Sequence, residues 1–552
     1  MLLFEDYRSK ITDDIRSIYT DVDPSDVGFD RTGHADFAFR TFRISKSSGK
    51  KPDQILAEVS TVLSGRPYIE NVSLEGPYIN IRIKPSVMLR ELDESVEIKG
   101  QFPDTFQDPE RVSVEHTSTN PTGPLHVGRI RNTLLGDSIA RILGRYGYRV
   151  TTQYFVNDSG RQIMALYEAY RRYNSGKKPS MDIILSGYQR IYGEMENDPS
   201  IENDIKELMN SYEKGDVELM DSIKAIASVA LDNINASLKS LGVKIDDYTW
   251  ESDFIRSGEL IDIVDSFSDI LNDEDGAKYI LNPDREKIFL RRSNGTSLYF
   301  TRDIAYHKYK ARTYDWIVDI LGEDHKGHAK NLQFVLKDLM EMPNRIDFVF
   351  NAYVSLETGK MSTRKGNAVT VDELLERTKE EALKIVSEKR PDLPKDKLEK
   401  ISLSVAKSSI RFNIIRINAN KQVVFKWSEA LNFEGDSAPY VMYSYARACG
   451  IMKHAGNARP NYDDIVPQER ELIVTMYQYP YRITEAKDSL RPDIIANYTL
   501  DLVKKFNDFY RECPVSGSDE KTMGKRIRIV QIYKNIIEDI SKLLGIELLE
   551  EM

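Results

Sequence analysis

The sequence predicts a multidomain α/β protein: a parallel-sheet domain in the middle, a small α+β unit before it and an all-α region after it. Three observations predict this. A chain of 552 residues exceeds one core and corresponds to roughly three or four domains at about 150 residues each. Its middle reads strand, loop, helix, strand. From about residue 372 nearly every apolar run has helical spacing.

Each unit follows from its own pattern. Residues 1 to 100 form the α+β unit: KPDQILAEVSTVL places Ile55, Val59 and Leu63 on one helical face. IENVSLEGPYINIRI alternates Val72 and Leu74, then Ile79, Ile81 and Ile83, about a Gly76-Pro77 turn, which predicts a hairpin. The polar stretch at 100 to 110 reads as a linker. RVSVEH then predicts a strand through Val112 and Val114. IRNTLLGDSIARILGRYGY predicts an amphipathic helix with Ile130, Leu134, Ile142 and Tyr146 inward and Gly147 closing it. RVTTQYFVND resumes as a strand, so the domain at 110 to 371 is Rossmann-like, with ligands expected at the carboxyl ends of its strands. Residues 163 to about 250 read as a helical insertion without strands, and DWIVDILG and IDFVFNAYVSL as the returning strands. A helical connecting segment at 372 to 430 and an α-helical domain at 431 to 552 complete the expected order. No internal repeat is present.

Composition bounds the function. With 41% hydrophobic and 30% charged residues the chain is a globular type. No run of about 18 apolar residues exists, and charges run through residues 1 to 20, so neither a membrane span nor a secretory signal is expected and the cytoplasm is. Two cysteines, Cys449 and Cys513, exclude a disulfide scaffold and a cysteine-ligated zinc. A net charge of −10 leaves nucleic acid open, because a local basic groove decides that contact.

Two short stretches carry chemistry. HTSTNPTGPLHVGRIRN leads from a strand into a helix, whose free amides and partial positive charge suit a phosphate. Gly128 lets a ligand approach the backbone, and His126 can donate to a phosphate oxygen. Alone, the tetrapeptide HVGR fits an ordinary strand-to-helix turn better, and no Walker or GxGxxG loop occurs. The second stretch, GKMSTRKGN at 359 to 367, holds Lys360, Arg364 and Lys365 around Ser362 and Thr363 between glycines. That suits a polyphosphate whose charge grows during reaction. A solvated basic loop would look the same.

Together and in this order, HVGR and KMSTR resemble the paired HIGH and KMSKS signatures of class I aminoacyl-tRNA synthetases. SLYFTRDIAYHKYK (297 to 310), MSTRKGN, FEGDSAPYVMYSYARA (433 to 448) and GHADFAFRTF near residue 33 narrow the resemblance, over nearly the whole chain, to the arginyl-tRNA synthetases. The resemblance implies an arginine–tRNA ligase with an anticodon-binding C-terminal domain. ATP is the implied substrate with Mg²⁺ on its phosphates, and arginine and its tRNA are the partners. A monomer is expected, without membrane attachment, and no protein-bound metal.

The implied site residues follow position by position. ATP falls to Pro121, Thr122, Gly123, Pro124, Leu125, His126, Val127, Gly128, Arg129, Ile130, Met361, Ser362 and Thr363. His126, Arg129, Lys360, Arg364 and Lys365 form the catalytic set. Arginine falls to Glu115, Ser118, Asn120, Tyr299, Asp303 and His325. Tyr299 and Asp303 are four apart and share a helical face, and a carboxylate beside a tyrosine suits a guanidinium. The bland alternative is a helix-start aspartate beside Arg302. A metal on His325 and His328, three apart, is a rival without further ligands in view. For tRNA, Tyr78 and Asn80 on the hairpin and Tyr440, Tyr443, Tyr445 and Arg447 in the C-terminal region suit stacking on unpaired bases.

The chain departs from the family pattern at two places. Arg129 replaces the second histidine of HIGH, and Thr363 the second lysine of KMSKS; Gly123 stands where some relatives carry a compensating lysine. These departures keep two other functions in view: a catalytically silent tRNA-binding relative, and a tRNA-independent nucleotidyltransferase of the same fold. Retention of Asn120, Tyr299 and Asp303 argues against the first, and the long helical C-terminal region against the second.

Overall fold

The computed structural model describes residues 3–30, 35–95, 109–357, 369–453 and 461–552. The N-terminal unit runs α1 (Leu3–Arg16), β1 (Val27–Phe29), β2 (Phe37–Arg40), α2 (Phe42–Ser48), α3 (Pro52–Leu63), β3 (Ile69–Glu75), β4 (Tyr78–Ile83) and α4 (Pro85–Glu94). Its strands form an antiparallel sheet in the order β1-β2-β4-β3. The predicted hairpin is there: Gly76 takes a φ of 58°, and Glu75 pairs with Tyr78. Ile55, Val59 and Leu63 of α3 are fully buried with Ile79, Ile81 and Ile83. The linker predicted at 100 to 110 lies largely outside the described residues.

The central domain contains β5 (Arg111–Glu115), α5 (Ile130–Arg145) and β6 (Arg149–Val156). The insertion follows as α6 (Arg161–Asn174), α7 (Met181–Met195), α8 (Pro199–Glu213) and α9 (Val217–Ser240). Next come β7 (Asp247–Trp250), α10 (Glu251–Ser257), α11 (Glu259–Asp265), β8 (Asn272–Glu274), β9 (Ala277–Leu281) and β10 (Lys287–Arg291). The domain closes with α12 (Tyr299–Ala311), β11 (Trp316–Gly322), α13 (Lys326–Phe334), β12 (Arg345–Asn351) and β13 (Val354–Leu356). Five strands form one parallel sheet in the order β12-β11-β5-β6-β7. Its strand order reverses between β5 and β11, the place where such sheets bind ligands.

The period of two along each strand sorts the residues between faces. Val112, Val114, Trp316, Val318 and Ile320 pack on Leu135, Ile139 and Leu143 of α5. On the other face Phe155, Ile317 and Ile346 pack on Ile304 of α12 and Leu332 of α13. By the same alternation Ser113, Glu115 and Asp319 point to the α12 face.

One expectation is corrected here. The range 163 to 250, expected to hold no strands, ends in β7, which pairs in parallel with β6 from Gln153–Asp247 to Val156–Trp250. Four residues are too few for an alternation to stand out beside long helices. The antiparallel sheet β10-β9-β8 was not foreseen at all. Its strands are short and polar on one side.

The rest is helical, as read: α14 (Val371–Lys389), α15 (Lys395–Ile415), α16 (Trp427–Ala430), α17 (Ala438–Lys453), α18 (Pro467–Tyr477), α19 (Tyr479–Ser489), α20 (Pro492–Glu512) and α21 (Glu520–Leu544). One strand interrupts it: β14 (Val423–Phe425) pairs in parallel with β13. The N-terminal unit docks on these helices, where the hydroxyls of Tyr7 and Tyr477 both donate to Glu91 at 2.6 Å. Among the described residues no helix is long and apolar enough to cross a membrane.

Candidate active site

The first signature occupies the reversal point. After β5 the chain turns through Thr117 (φ 72°) and Ser118 (φ 35°), left-handed conformations that strain a residue with a side chain. The turn is held by Ser118, whose hydroxyl accepts the Phe155 amide at 3.0 Å and donates to Glu115 at 2.9 Å. Asn120 is exposed and donates its amide to Gln162 of α6 at 2.9 Å. Pro121, Leu125, Val127 and Ile130 are buried and Thr122, Gly123 and Pro124 half-buried, so the corner is a packed element.

Val127–Arg129 forms one 3-10 turn before α5. The Val127 amide donates to Val369 O at 3.0 Å, and the Val371 amide to Leu125 O at 2.8 Å. These bonds tie the first signature to the chain that emerges from the second. The space above Gly128, expected to admit a ligand, is taken by the ring of His126: a Cβ there would stand 3.1 Å from its Nδ1. Burial, and then the nearby Arg129 charge, push the His126 pKa down to about 4. The Arg129 amide donates to His126 O at 3.0 Å, while its exposed guanidinium makes no hydrogen bond or ion pair to a described residue. Lys360, Met361, Ser362, Thr363, Arg364 and Lys365 lie outside the described residues.

Two residues past Arg129, Arg131 is wholly buried. Its guanidinium donates to Ala352 O at 2.9 Å, Ile417 O at 3.2 Å, Asn418 O at 2.7 Å and Lys421 O. Burial lowers its pKa to about 10. It pins the start of α5 to the β12–β13 connection, which leads toward the second signature. Nothing in its sequence context marked it.

Glu115 does not face a ligand alone. Lys310, fully buried on α12, donates to Glu115 at 2.9 Å and to Asp319 at 2.7 Å. His307 lies 2.7 Å from Asp319 through Nε2 and 2.8 Å from Asp303 O through Nδ1. Burial would raise the Asp319 carboxyl, but Lys310 and His307 outweigh it and hold it well below the usual carboxylate range. Glu115 is pushed up by burial and the Asp319 charge, against Lys310. This chain of contacts fixes the end of β5 relative to α12. Asp319 inside the apolar run WIVDILG was the sequence signal for it.

At the start of α12, Tyr299 is 47% exposed, and a Cβ at Gly160 would run into its hydroxyl. Arg302 turns inward, donating to Glu251 at 3.0 Å and pairing with Glu213 and Ser159. Arg302 therefore does not pair with Asp303, its neighbour in the chain. Asp303 faces away and accepts from His328 at 2.5 Å. His325, at the carboxyl end of β11, is half exposed, its ring 6.5 Å from that of His328.

The residues expected to meet tRNA lie apart from this site. Tyr78 is 40% exposed beside the exposed Phe42, while Asn80 is buried and donates to Glu75 at 3.0 Å. In α17, Tyr443 is exposed, and the Arg447 guanidinium lies 4.5 Å from its ring centre and 5.1 Å from that of Tyr510. Tyr440 is half-buried. Tyr445 is buried, with its hydroxyl on Glu538, so it is not available for stacking.

Comparison with known proteins decides the family. The class I arginyl tRNA synthetase catalytic-domain model matches residues 93–427, the arginyl tRNA synthetase N-terminal domain model residues 5–83, and the DALR anticodon-binding domain model residues 441–552. The chain belongs to the arginyl-tRNA synthetase family. As a member it is an enzyme, an arginine–tRNA ligase with the class I catalytic fold. It is 48% identical over 553 residues to the arginine–tRNA ligase of Thermoplasma acidophilum, covering 100% of both chains. The Methanosphaerula palustris enzyme is 35% identical, over 94% of this chain and 95% of that one. The Thermus thermophilus arginyl-tRNA synthetase structure matches with a TM-score of 0.84 at 27% identity, covering 100% of both chains.

Proposed function

We propose that arginine lies between Tyr299 and Asp303 at its guanidinium end and Glu115, Ser118 and Asn120 at its α-amino and carboxylate end, with His325 beside it. ATP enters as its magnesium complex along residues 121 to 130, with residues 359 to 367 as the second contact stretch. The arginine carboxylate attacks the α-phosphate, the bond to the β-phosphate breaks and pyrophosphate leaves. A ribose hydroxyl of the tRNA's terminal adenosine then attacks the arginyl-adenylate and AMP leaves. No covalent enzyme intermediate is needed, so positioning and charge stabilisation do most of the work. His126, the amides at the start of α5, Arg129, Lys360, Arg364 and Lys365 hold the phosphates. Met361, Ser362 and Thr363 line the nucleotide.

One observation carries the reading. Arg302 is satisfied inside the protein, so Asp303, whose described side-chain partner is the His328 ring, presents a carboxylate at the α12 mouth near the exposed Tyr299. A guanidinium fork suits it and a lysine ammonium does so less well. Tyr78, and Tyr440, Tyr443 and Arg447, are proposed to meet the tRNA at its elbow and anticodon; Asn80, buried and bonded to Glu75, supports the hairpin instead. A monomer acting in the cytoplasm is part of the same proposal.

The test is arginine-dependent ATP–pyrophosphate exchange, run with and without tRNA, for the native enzyme and D303N. Exchange is expected with tRNA present, with the KM for arginine raised at least a hundredfold in D303N and the KM for ATP little changed. Absence of exchange under both conditions, or an unchanged KM for arginine in D303N, would refute the reading.

A further inference from the structure

Asp303 has a second suitor. His328, on the first turn of α13, places Nε2 2.5 Å from Asp303 Oδ2. Its ring meets the edge of Phe300 at 5.2 Å. The two side chains are 32% and 29% exposed, so the contact is partly shielded from water. The charged groups around it are few. From α12 come Asp303 and, on the same face, Tyr299. From the turn after β11 come His325 and Asp324, which lie 3.8 Å from each other. Lys326 places its ammonium over Phe350 of β12, and Arg302 is turned into the interior.

We propose that His328 is a positioning residue for the substrate: neutral, it holds the Asp303 carboxylate for the arginine guanidinium, and protonated, it competes with arginine for that carboxylate. The proposal rests on the reading that Asp303 binds the guanidinium. A carboxylate has room for about four donors. A neutral imidazole donates one N–H to Oδ2 and leaves the remaining lone pairs to a bidentate fork. An imidazolium at the same place cancels the Asp303 charge and repels an incoming cation.

The direction of the pH effect follows from linkage. Burial alone would lower the His328 pKa, but the hydrogen bond and charge of Asp303 outweigh it, and it lies above the ordinary histidine value. The free enzyme therefore carries the competing proton up to and above pH 6.5, the region where histidine switches operate. Arginine binding has to expel that proton. The KM for arginine is then flat at high pH and rises, up to tenfold per pH unit, as pH falls through the His328 pKa.

The experiment measures the KM for arginine in aminoacylation at saturating ATP and tRNA, between pH 6 and 8.5. It compares the native enzyme with H328Q, H325Q and D303N. H328Q keeps a donor without a titrating group and is expected to flatten the profile, while H325Q, whatever its KM, retains the native slope. A native profile that is flat, or an H328Q profile parallel to the native one, overturns the proposal. D303N separates the two ideas: an unchanged KM at pH 8 removes the arginine-site reading, whereas a raised KM together with a native-like H328Q slope removes only the role of His328. Should H328Q fail to fold, calorimetry of arginine binding to the native enzyme in two buffers of different ionisation heat decides instead. Net proton release near the inflection supports the proposal, and zero release overturns it.

Discussion

Arg129 ends the first signature as an exposed cation, with no anion or acceptor bound to its guanidinium among the described residues. A charge left unspent at a helix N-terminus is available to phosphate. It also works with burial to keep His126 neutral near pH 7, because the His126 pKa is down at about 4. On the proposed reading His126 would offer a phosphate one donated proton and no net charge, and Arg129 is the exposed cation of residues 121 to 130. Replacing it with alanine should slow arginine-dependent pyrophosphate exchange by 10²–10³-fold at most, about 2.7–4 kcal/mol, the effect of one strong donor in such a site. An R129A enzyme exchanging at the native rate would mean that the substitution is merely tolerated. At this scale the sequence named the residue types, while the partners that free or occupy them came from the fold. Asp303 is the clearest case: four letters after Tyr299 it was a plausible pocket residue, and the fold turned Arg302 away from it and set His328 against it.

At the scale of elements, α5 organises the site. Its first turn is tied down by Arg131, and Asn132 donates to Ile320 O at 3.2 Å and accepts from Asn351 at 2.6 Å. Its middle lies so close to β5 that a Cβ at Gly136 would overlap His116 and stand 2.7 Å from its Cγ. His116 is buried at this contact, and its Nδ1 lies 2.9 Å from the Thr117 hydroxyl. Burial pushes its pKa down to about 4. In the unfolded chain the same ring titrates near 6.5. The unfolded state therefore takes up the proton first, and stability falls as pH drops from about 6.5 toward 4, by up to ~3 kcal/mol. Urea unfolding at pH 7 and pH 4.5 checks this, since H116Q should lose less stability between the two than the native enzyme. The helix itself was legible from its spacing, and so were the hairpin and the strands on either side. The strand β7 and the sheet of β8 to β10 were not, because three to five residues give too few alternations to outweigh neighbouring patterns.

At the scale of the molecule, one buried cluster joins three units. Arg411 of α15 pairs with Asp137 of α5 and donates to Leu544 O at 2.9 Å and Leu241 O at 3.1 Å. Arg141 donates to Asp137 at 2.8 Å, to Lys542 O at 3.1 Å and to Gly242 O at 2.8 Å. The carboxyl ends of α9 and α21 thus both meet arginines, the favourable sense for a helix dipole. Gly545, at φ 66°, admits the Arg411 guanidinium, which a side chain there would strike. Burial would raise the Asp137 carboxyl, but the two arginines outweigh it and lower it. D137N leaves the fully buried Arg411 without its anion and should cost about 3–5 kcal/mol. Because the cluster ties α5 to the insertion and the C-terminal helices, calorimetry of D137N should show unfolding broadened or split relative to the native protein. A native-like thermogram would mean that the apolar contacts alone hold the units together.

The sequence by itself determined the family, the order of units and most of the elements. Periodicities of two and 3.6 and short signature stretches are local, and they survive without knowledge of contacts. It also determined the residue types at the proposed ATP corner and at the α12 mouth. Only the tertiary structure decided which of those groups are free. Lys310 between Glu115 and Asp319, Arg131 among four carbonyls and His328 against Asp303 join residues distant in the chain. The physical reason is that burial and pairing set what a charged side chain can do, and both are properties of the neighbours that folding brings to it.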